Sequence, residues 1–458
     1  MAFKFHPPTR KTCKTCEILN GDLKPIIGTT RGKASAADNF PFHNWYNFVL
    51  GYTPEFPDYI IDREKITKNQ FVVDPFLGSG TTMLCCKNKG ISSGGVEAND
   101  FFEFAATVKL NWDIDSKLLR KEQKKLLKKI EQQFAKFNWP SNDKFNLKNS
   151  KGLSPKDYAE KHRPKLLIER YICDAPFVKL DLIKRELEKN KWPNDEVKKL
   201  FYLAYSATVL PVSNISYGPG FGVKKPKIDV DVFNIFNKRL ERMIADLEGV
   251  ENTKNIKTKT VVHLGDARII SKYFKKNSVD FMITSPPYPG DHEYTKHSKL
   301  ELIFNDFAHS LDEFRLIKQR MLRGSTTNIY KNDKEGDLIK DIKSINDVVE
   351  EIDKRLKHDG ATSGFEKLYT KLIWEYFGGM HNTFKEALKV LKPGGKISLL
   401  VSDSHAFKMV HIETAKLLQE VAEKAGFCNS HIELWQCKNS TSHKYKLLEN
   451  ILTIEKPK

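Results

Sequence analysis

Two short segments of the chain contain residue types that could bind a cofactor and act on a substrate. Segment 74–82, of sequence DPFLGSGTT, follows an apolar run at 71–73 and ends where a helix is predicted to begin. Its glycines permit a tight turn and a close approach to a ligand. Segment 285–288, of sequence SPPY, follows the strand-like segment 279–283, and its two prolines fix a stiff, non-helical loop. The pattern predicts two loops at the carboxyl ends of parallel strands, where open α/β sheets bind ligands.

Together the two segments resemble the cofactor loop and the catalytic loop of methyltransferases that use S-adenosylmethionine (SAM) and modify exocyclic amino groups of DNA bases. The resemblance covers residues 40–112, 258–292 and 377–456. It implies an α/β fold, a Rossmann-like SAM-dependent methyltransferase sheet with two largely helical insertions. A catalytic loop that begins with serine is associated with N4-cytosine enzymes, whereas adenine-N6 enzymes more often begin it with Asp or Asn. The predicted activity is therefore methylation of cytosine N4 in duplex DNA, with adenine N6 as the alternative.

The catalytic loop suits the weak nucleophilicity of a base amino group. Acceptors at the Ser285 hydroxyl and the Pro286 carbonyl would bind the two amino hydrogens and direct the nitrogen lone pair at the methyl group. The Tyr288 ring would stack on the base, which has to leave the duplex first. Positioning then supplies most of the rate enhancement. The predicted catalytic residues are Ser285, Pro286, Pro287 and Tyr288.

Acidic residues after two further predicted strands complete the cofactor prediction. Glu97 lies about 20 residues after the glycine loop, where an acid accepts hydrogen bonds from ribose hydroxyls. NAD enzymes use the same device, but this loop lacks their third glycine. The resemblance implies that Asp266, after the strand at 260–264, binds the adenine amino group; Asp266 also suits the N-cap of the next helix.

An aromatic segment upstream of the glycine loop gives the remaining cofactor prediction. Trp45 and Tyr46 either cover the methionine end of SAM, where a sulfonium favours aromatic faces, or pack in the core. Phe48 and Leu50 are predicted to be core residues. The full set of predicted cofactor-binding residues is Trp45, Tyr46, Asp74, Phe76, Gly78, Ser79, Gly80, Thr81, Thr82, Glu97, Asp266 and Ala267.

The charge of the chain favours a polyanionic partner. The formal net charge is +18 and the pI is about 9.3. Segment 217–227 interleaves glycines, aromatics and lysines, which suits either nucleic-acid contact or a surface loop. Segment 320–328 is basic and rich in hydroxyls, which suits phosphate binding. The predicted DNA-binding residues are Tyr217, Phe221, Lys224, Lys225, Arg320, Arg323 and Ser325.

The predicted partners are double-stranded DNA and a cognate restriction endonuclease that acts on the same site. Methylation of an RNA base and a non-catalytic nucleic-acid-binding role remain alternatives. The predicted organisation is an N-terminal arm (1–39), methyltransferase segments (40–112, 257–292 and 377–458), a helical insertion and candidate DNA-recognition region (113–256), and a second helical insertion (293–376).

Several classes of protein are disfavoured by composition. No run of apolar residues reaches the length of a membrane span, and the N-terminus lacks the apolar core of a signal peptide. Seven cysteines, an odd number, fit a reducing compartment, so a cytoplasmic location is predicted. Cys13 and Cys16 have the spacing of metal ligands, but no second pair lies at zinc-ribbon distance, and no metal site is predicted.

Overall fold

The computed structural model describes residues 40–46, 48, 50–136, 154–217, 221–290, 293–359, 363–439 and 446–458. The predicted N-terminal arm, with Cys13 and Cys16, lies outside these residues. Seven strands of the described part form one mixed sheet, and two short strands form a separate hairpin. The strands are β1 (Phe71–Asp74), β2 (Ser92–Glu97), β3 (Ile215–Ser216), β4 (Gly222–Val223), β5 (Thr260–Leu264), β6 (Val279–Thr284), β7 (Leu391–Ser402), β8 (Cys428–Asn439) and β9 (Lys446–Glu455).

Local sequence explains where individual helices begin. The helix Asp195–Val212, for example, has Asn194 as its N-cap, and the Asn194 side chain accepts a hydrogen bond from the Val197 amide. The α-helices of the described residues are α1 (Glu55–Arg63), α2 (Thr81–Asn88), α3 (Asp100–Leu110), α4 (Ser116–Lys136), α5 (Pro155–His162), α6 (Asp174–Lys189), α7 (Asp195–Val212), α8 (Val232–Val250), α9 (Lys299–Phe304), α10 (Leu311–Arg320), α11 (Lys343–Asp359), α12 (Tyr369–Val390) and α13 (Thr414–Ala425).

The strand order of the sheet is β5-β2-β1-β6-β7-β9-β8. The first five strands of this order run parallel, and β9 is antiparallel to both of its neighbours. From β1 the chain first builds the sheet towards β5 and later continues on the other side with β6. Such a reversal leaves a crevice at the carboxyl ends of the two central strands. The pairing of Val72 with Phe281 and of Val73 with Met282 therefore brings the two predicted loops to the same crevice.

Alternating residues of the strands bury the two faces of the sheet under different helices. Val73, Met282 and Val401 belong to one apolar cluster, which includes residues of α12 and α13. Their neighbours Val72, Ile283 and Leu400 belong to another cluster, with residues of α1 and α2. Because successive side chains of a strand point to opposite faces, this register fixes which loop residues leave each strand towards the crevice.

Helices between β2 and β5 form a large apolar core of their own. Leu126 of α4, Ile183 of α6, Phe201 of α7 and Leu240 of α8 are buried in one cluster with residues of α3 and α9. Two details add to the sequence analysis. Residues 222–223 of segment 217–227, which suits either nucleic-acid contact or a surface loop, form the short strand β4. Residue 376, where the second insertion is predicted to end, lies inside α12.

No helix in the described ranges combines the length and the apolar character that crossing a membrane requires.

Helix α11 begins at Lys343, and residues 335–339 before it form a separate 3-10 turn. That turn packs beside α12, where Gly378 admits its backbone.

Candidate active site

A cavity of about 300 Å³ lies at the carboxyl edge of β1 and β6. The glycine loop (residues 74–82) lines one part of the cavity, and the SPPY loop (residues 285–288) lines another. Two segments about 200 positions apart in the sequence therefore face one cavity, as the strand order predicts. The predicted site residues that line this cavity are Phe76, Gly78, Ser79, Thr81, Glu97, Asp266, Ala267, Ser285, Pro286, Pro287, Tyr288, Arg320 and Ser325.

Asp74 joins the two loops from behind the cavity wall. Its carboxylate accepts hydrogen bonds from the Thr284 hydroxyl at 2.5 Å and from the Tyr52 hydroxyl at 2.8 Å. Burial raises the pKa of Asp74 to about 6, although these donors oppose the shift. Thr82 contributes a further bond from its hydroxyl to the Ile283 carbonyl. Asp74 and Thr82 therefore position the loops rather than line the cavity.

Two glycines of the glycine loop have a backbone conformation that other residues rarely adopt. Gly78 has φ +53° and Gly80 has φ +89°. A Cβ on Gly80 would also lie 3.3 Å from the Cβ of Ala106, so α3 packs directly against the loop. The positive φ favours glycine at both positions, and the close approach of Ala106 leaves little room for a side chain at Gly80.

Glu97 connects the glycine loop to the end of β2. One carboxylate oxygen accepts the Gly78 amide at 2.7 Å, and the other accepts the Asn99 amide at 2.8 Å. Burial raises the pKa of Glu97 to about 7, since these amides only partly offset the loss of solvation. Each carboxylate oxygen can accept a further hydrogen bond, and the two amide bonds fix the orientation of the carboxylate. A carboxylate held in this way suits a pair of ribose hydroxyls.

Lys109 places a buried amine beneath the glycine loop. Its Nζ donates to the Ser79 carbonyl at 2.8 Å, and the residue is 1% exposed. Burial lowers the pKa of Lys109 to about 7. No local sequence signal marks this residue, because it lies in the last turn of an otherwise apolar helix.

We expect Lys109→Met to weaken SAM binding by roughly 10-fold, the scale of leaving one buried carbonyl without its donor. Methionine retains the length of the side chain, so the carbonyl of the loop loses its partner while α3 keeps its packing. Calorimetric titration with SAM measures the change. The matched control is Lys87→Met, which removes a buried lysine that donates to the Ile256 and Thr258 carbonyls outside the cavity. Equal losses of affinity in both variants would contradict the role of Lys109.

Asp266 lines the cavity and is also held by an arginine. Arg268 contacts both carboxylate oxygens of Asp266, at 2.7–3.1 Å, and also pairs with Glu335. The Arg268 amide donates to Asp266 at 2.9 Å, so the predicted N-cap role is present. Because Arg268 occupies one side of both oxygens, a ligand amino group would share the carboxylate with it.

The SPPY loop presents Ser285 as a hydrogen-bond acceptor. Its hydroxyl donates to the Leu400 carbonyl of the adjacent strand at 2.9 Å, so its lone pairs are left to accept. The Tyr288 hydroxyl lies 3.3 Å from the Ser285 hydroxyl and 3.3 Å from a carboxylate oxygen of Glu449. Glu449 was not predicted from the sequence; it enters the site through the pairing of β9 with β7.

Other residues of the cavity wall were also missed. Phe48 and Leu50 line the cavity, which corrects their prediction as core residues, and Tyr52 lines it beside them. The aromatic composition of that segment was the right signal, but it did not distinguish one ring from the next. The other residues that were not predicted, apart from Glu449, include Glu293, Tyr294, Lys318, Met321, Asn328 and Lys438.

Trp45 and Tyr46 do not reach the cavity, which corrects the prediction that they cover it. Both are buried, and the Trp45 indole donates to Asp246 of α8 at 2.8 Å. The Tyr46 hydroxyl donates to Glu301 at 3.0 Å. Burial raises the pKa of Glu301 to about 7. The core packing that the sequence left open is therefore the role that the structure gives to these two aromatics.

The predicted DNA-binding residues separate into buried and accessible groups. Tyr217 is buried and donates to Glu301 at 2.9 Å, and Phe221 is half-buried against the Tyr171 ring. Arg323 is buried, pairs with Asp333 and donates to three backbone carbonyls. Tyr217 and Arg323 are thus corrected to structural roles, because their polar groups are engaged within the fold.

The remaining members of that set are accessible. Lys224 and Lys225 are exposed beside the β3–β4 hairpin. Arg320 lines the cavity but donates to the Ala98 carbonyl and pairs with Asp100. Ser325 lines the cavity and caps a short turn through the Thr327 amide. Which of these residues contacts DNA stays a prediction.

An open, mostly parallel sheet with a ligand-sized cavity at its reversal point is typical of α/β proteins that bind nucleotides or nucleosides. Comparison with known proteins narrows the class. The chain is 24% identical over 426 residues to the Type II methyltransferase M.BsoBI of Geobacillus stearothermophilus, a match that covers 86% of this chain and 80% of that protein. It is 22% identical over 401 residues to the Type II methyltransferase M.MvaI of Kocuria varians, which covers 83% and 81%.

A third relative is the Type II methyltransferase M.AvaI of Nostoc sp., with 22% identity over 406 residues, 84% of this chain and 79% of that protein. No family model matches the chain. A DNA modification methylase from Thermus thermophilus aligns at a TM-score of 0.19 and 17% identity, over 42% of this chain and 52% of that one, which is too low to compare folds. The relatives confirm the resemblance to DNA methyltransferases.

Proposed function

We propose that the protein transfers a methyl group from SAM to the exocyclic N4 of cytosine in a specific duplex DNA sequence. The observation that carries this proposal is the single cavity lined by both the glycine loop and the SPPY loop. The reaction needs a cofactor site and an acceptor site for amino hydrogens in one cavity, and the residues that line this cavity suit both roles. Because the relatives are named Type II methyltransferases, the proposed context is a restriction-modification system with a cognate endonuclease as partner.

The chemistry of the cavity wall fits a nucleoside cofactor with a cationic centre. Glu97 offers carboxylate oxygens at the end of β2, and Asp266 offers another carboxylate after β5. Gly78 allows the backbone to approach closely, and the Phe48 and Tyr52 rings provide aromatic surface. When bound there, SAM supplies an electrophilic methyl group on its sulfonium.

The SPPY loop then acts by geometry on the target amino group. Ser285 has committed its own hydrogen to the Leu400 carbonyl, so its oxygen accepts one amino hydrogen. The Pro286 carbonyl accepts the other, which favours a tetrahedral nitrogen with its lone pair aimed at the cofactor. Neither acceptor needs to be a strong base, since the proton leaves after methylation has made the nitrogen acidic. The two prolines limit the motion of these acceptors.

The target base reaches this loop only outside the helix, at a cost of a few kcal/mol of unstacking. The formal net charge of +18 favours binding to the phosphate backbone, which offsets that cost. The Tyr288 ring lines the cavity and offers an aromatic face to the extruded base. The same arrangement serves adenine N6, which remains the alternative substrate.

Tritiated SAM and duplex DNA test the proposal. The purified protein is incubated with genomic DNA, the DNA is digested, and the labelled nucleoside is identified. Label in N4-methylcytosine is the expected result. Label in N6-methyladenine would replace cytosine with adenine, and label only with RNA would remove DNA as the substrate. SAM binding without label in any nucleic acid would favour a non-catalytic binding protein.

A further inference from the structure

The end of the cavity beside the SPPY loop is built partly from the hairpin of β8 and β9. Lys438 and Glu449, one on each strand, line the cavity together with Tyr288. Neither residue has a role in the cofactor site, which lies around Glu97 and Asp266. Their position at the catalytic loop indicates a role towards the substrate base.

Glu449 is a buried carboxylate with a fixed set of donors. Its side chain is 2% exposed, and one oxygen accepts the Lys438 ammonium at 2.6 Å and the Tyr288 hydroxyl at 3.3 Å. The other oxygen accepts the Gln436 amide from the facing position of β8. A buried carboxylate with three donors is held in one orientation, and it in turn holds the lysine.

Lys438 is bound at one side and accessible at the other. Its side chain is 42% exposed, although the ammonium contacts Glu449. An ammonium carries three hydrogens, so the bond to Glu449 leaves two for other acceptors. Because Glu449 also contacts Tyr288, the lysine is fixed next to the ring that faces the target base.

We infer that Lys438, positioned by Glu449, donates hydrogen bonds to the N3 and O2 edge of the target cytosine. This inference rests on the proposed function and specifies how the site distinguishes its base. When the amino group lies at Ser285 and Pro286, the next atoms along a cytosine are N3 and O2, both acceptors. Along an adenine they are N1, an acceptor, and C2–H, which accepts nothing. A cation at this edge therefore favours cytosine.

Kinetics of Lys438→Met on a duplex with the mapped target site provide the test. We expect kcat/KM to fall by roughly 10- to 100-fold, the effect of losing charge-assisted hydrogen bonds to the base, with SAM affinity unchanged. Lys438→Arg keeps a cationic donor and is expected to recover part of the loss. The matched control is Lys392→Met. Lys392 pairs with Asp280 at 2.7 Å and its side chain is 44% exposed, but it lies at the amino end of β7, away from the cavity.

A base analogue distinguishes a contact of Lys438 with the target base from a contact with the DNA phosphates or a purely structural role. Placing 2-thiocytosine at the target replaces O2 by a weaker acceptor, so the wild type is expected to lose activity while Lys438→Met loses little more. Equal losses in both proteins would overturn the inference, as would a Lys438→Met defect that only lowers the salt dependence of DNA binding. If the wild type methylates adenine, the proposed function fails first; if it methylates cytosine and Lys438→Met behaves as Lys392→Met, only this inference fails.

Discussion

Replacing Ser285 by alanine is expected to lower the single-turnover rate of methyl transfer by roughly 100- to 1,000-fold, the scale of one lost catalytic hydrogen bond. The Ser285 oxygen is oriented as an acceptor because its hydrogen goes to the Leu400 carbonyl. Alanine removes the acceptor but not the loop, since the prolines and the Thr284–Asp74 bond hold the backbone. SAM affinity, measured by calorimetry, is expected to stay unchanged.

Two variants of Tyr288 distinguish the contribution of its ring from that of its hydroxyl in the same assay. Tyr288→Ala is expected to lose activity as severely as Ser285→Ala, whereas Tyr288→Phe retains most of it, because stacking depends on the ring. The control variant is Ser278→Ala. It removes a serine hydroxyl that donates to the Lys275 carbonyl just before β6, at the end of the strand far from the SPPY loop. Full turnover by both Ser285→Ala and Tyr288→Ala would show that the loop is not the catalytic site.

Replacing Glu97 by glutamine is expected to raise the dissociation constant of SAM by roughly 100-fold, since two hydrogen bonds to a charged acceptor are lost or weakened. Glutamine also places an N–H against either the Gly78 or the Asn99 amide, both of which donate to Glu97. The matched control is Glu103→Gln, which alters a half-buried acid of α3 that accepts from Thr107. Comparable losses in the two variants would remove Glu97 from the cofactor site.

The pH dependence of SAM binding gives an independent signature of the same residue. The pKa of Glu97 is raised to about 7 by burial, and ribose hydroxyls donate to the ionised form. Affinity should therefore fall as the pH is lowered through 7, and be roughly 10-fold weaker at pH 6 than at pH 8. Binding near pH 6 should release a proton, seen as a buffer-dependent enthalpy. The Glu97→Gln variant should show neither effect, and a wild-type profile that is flat from pH 6 to 8 would contradict the assignment.

The conformations of the two loops follow from local sequence. An apolar strand followed by glycines or by paired prolines defines a loop at a strand end within a few residues. Gly78 and Gly80 show the positive φ that the turn requires, and Ser285 to Tyr288 leave β6 as expected.

The parts that were missed depend on distant register. The sequence left open whether Trp45 and Tyr46 cover the cofactor or pack in the core, and their hydrogen bonds to Asp246 of α8 and to Glu301 place both in the core. Arginine is a common phosphate ligand, but Arg323 pairs with Asp333 and donates to backbone carbonyls instead. In each case the partners that the fold provides decide the direction of the side chain.

By itself the sequence determined the two loops, the strands that carry them and the resemblance to DNA methyltransferases, because those depend on residues adjacent in the chain. Only the tertiary structure decided which side chains share the cavity. Glu449 meets Tyr288 across 161 positions, through the pairing of β9 with β7 and β8. A shift of one residue in that pairing would turn Glu449 to the other face of the sheet, and nothing in the local sequence near Glu449 or Lys438 specifies the register.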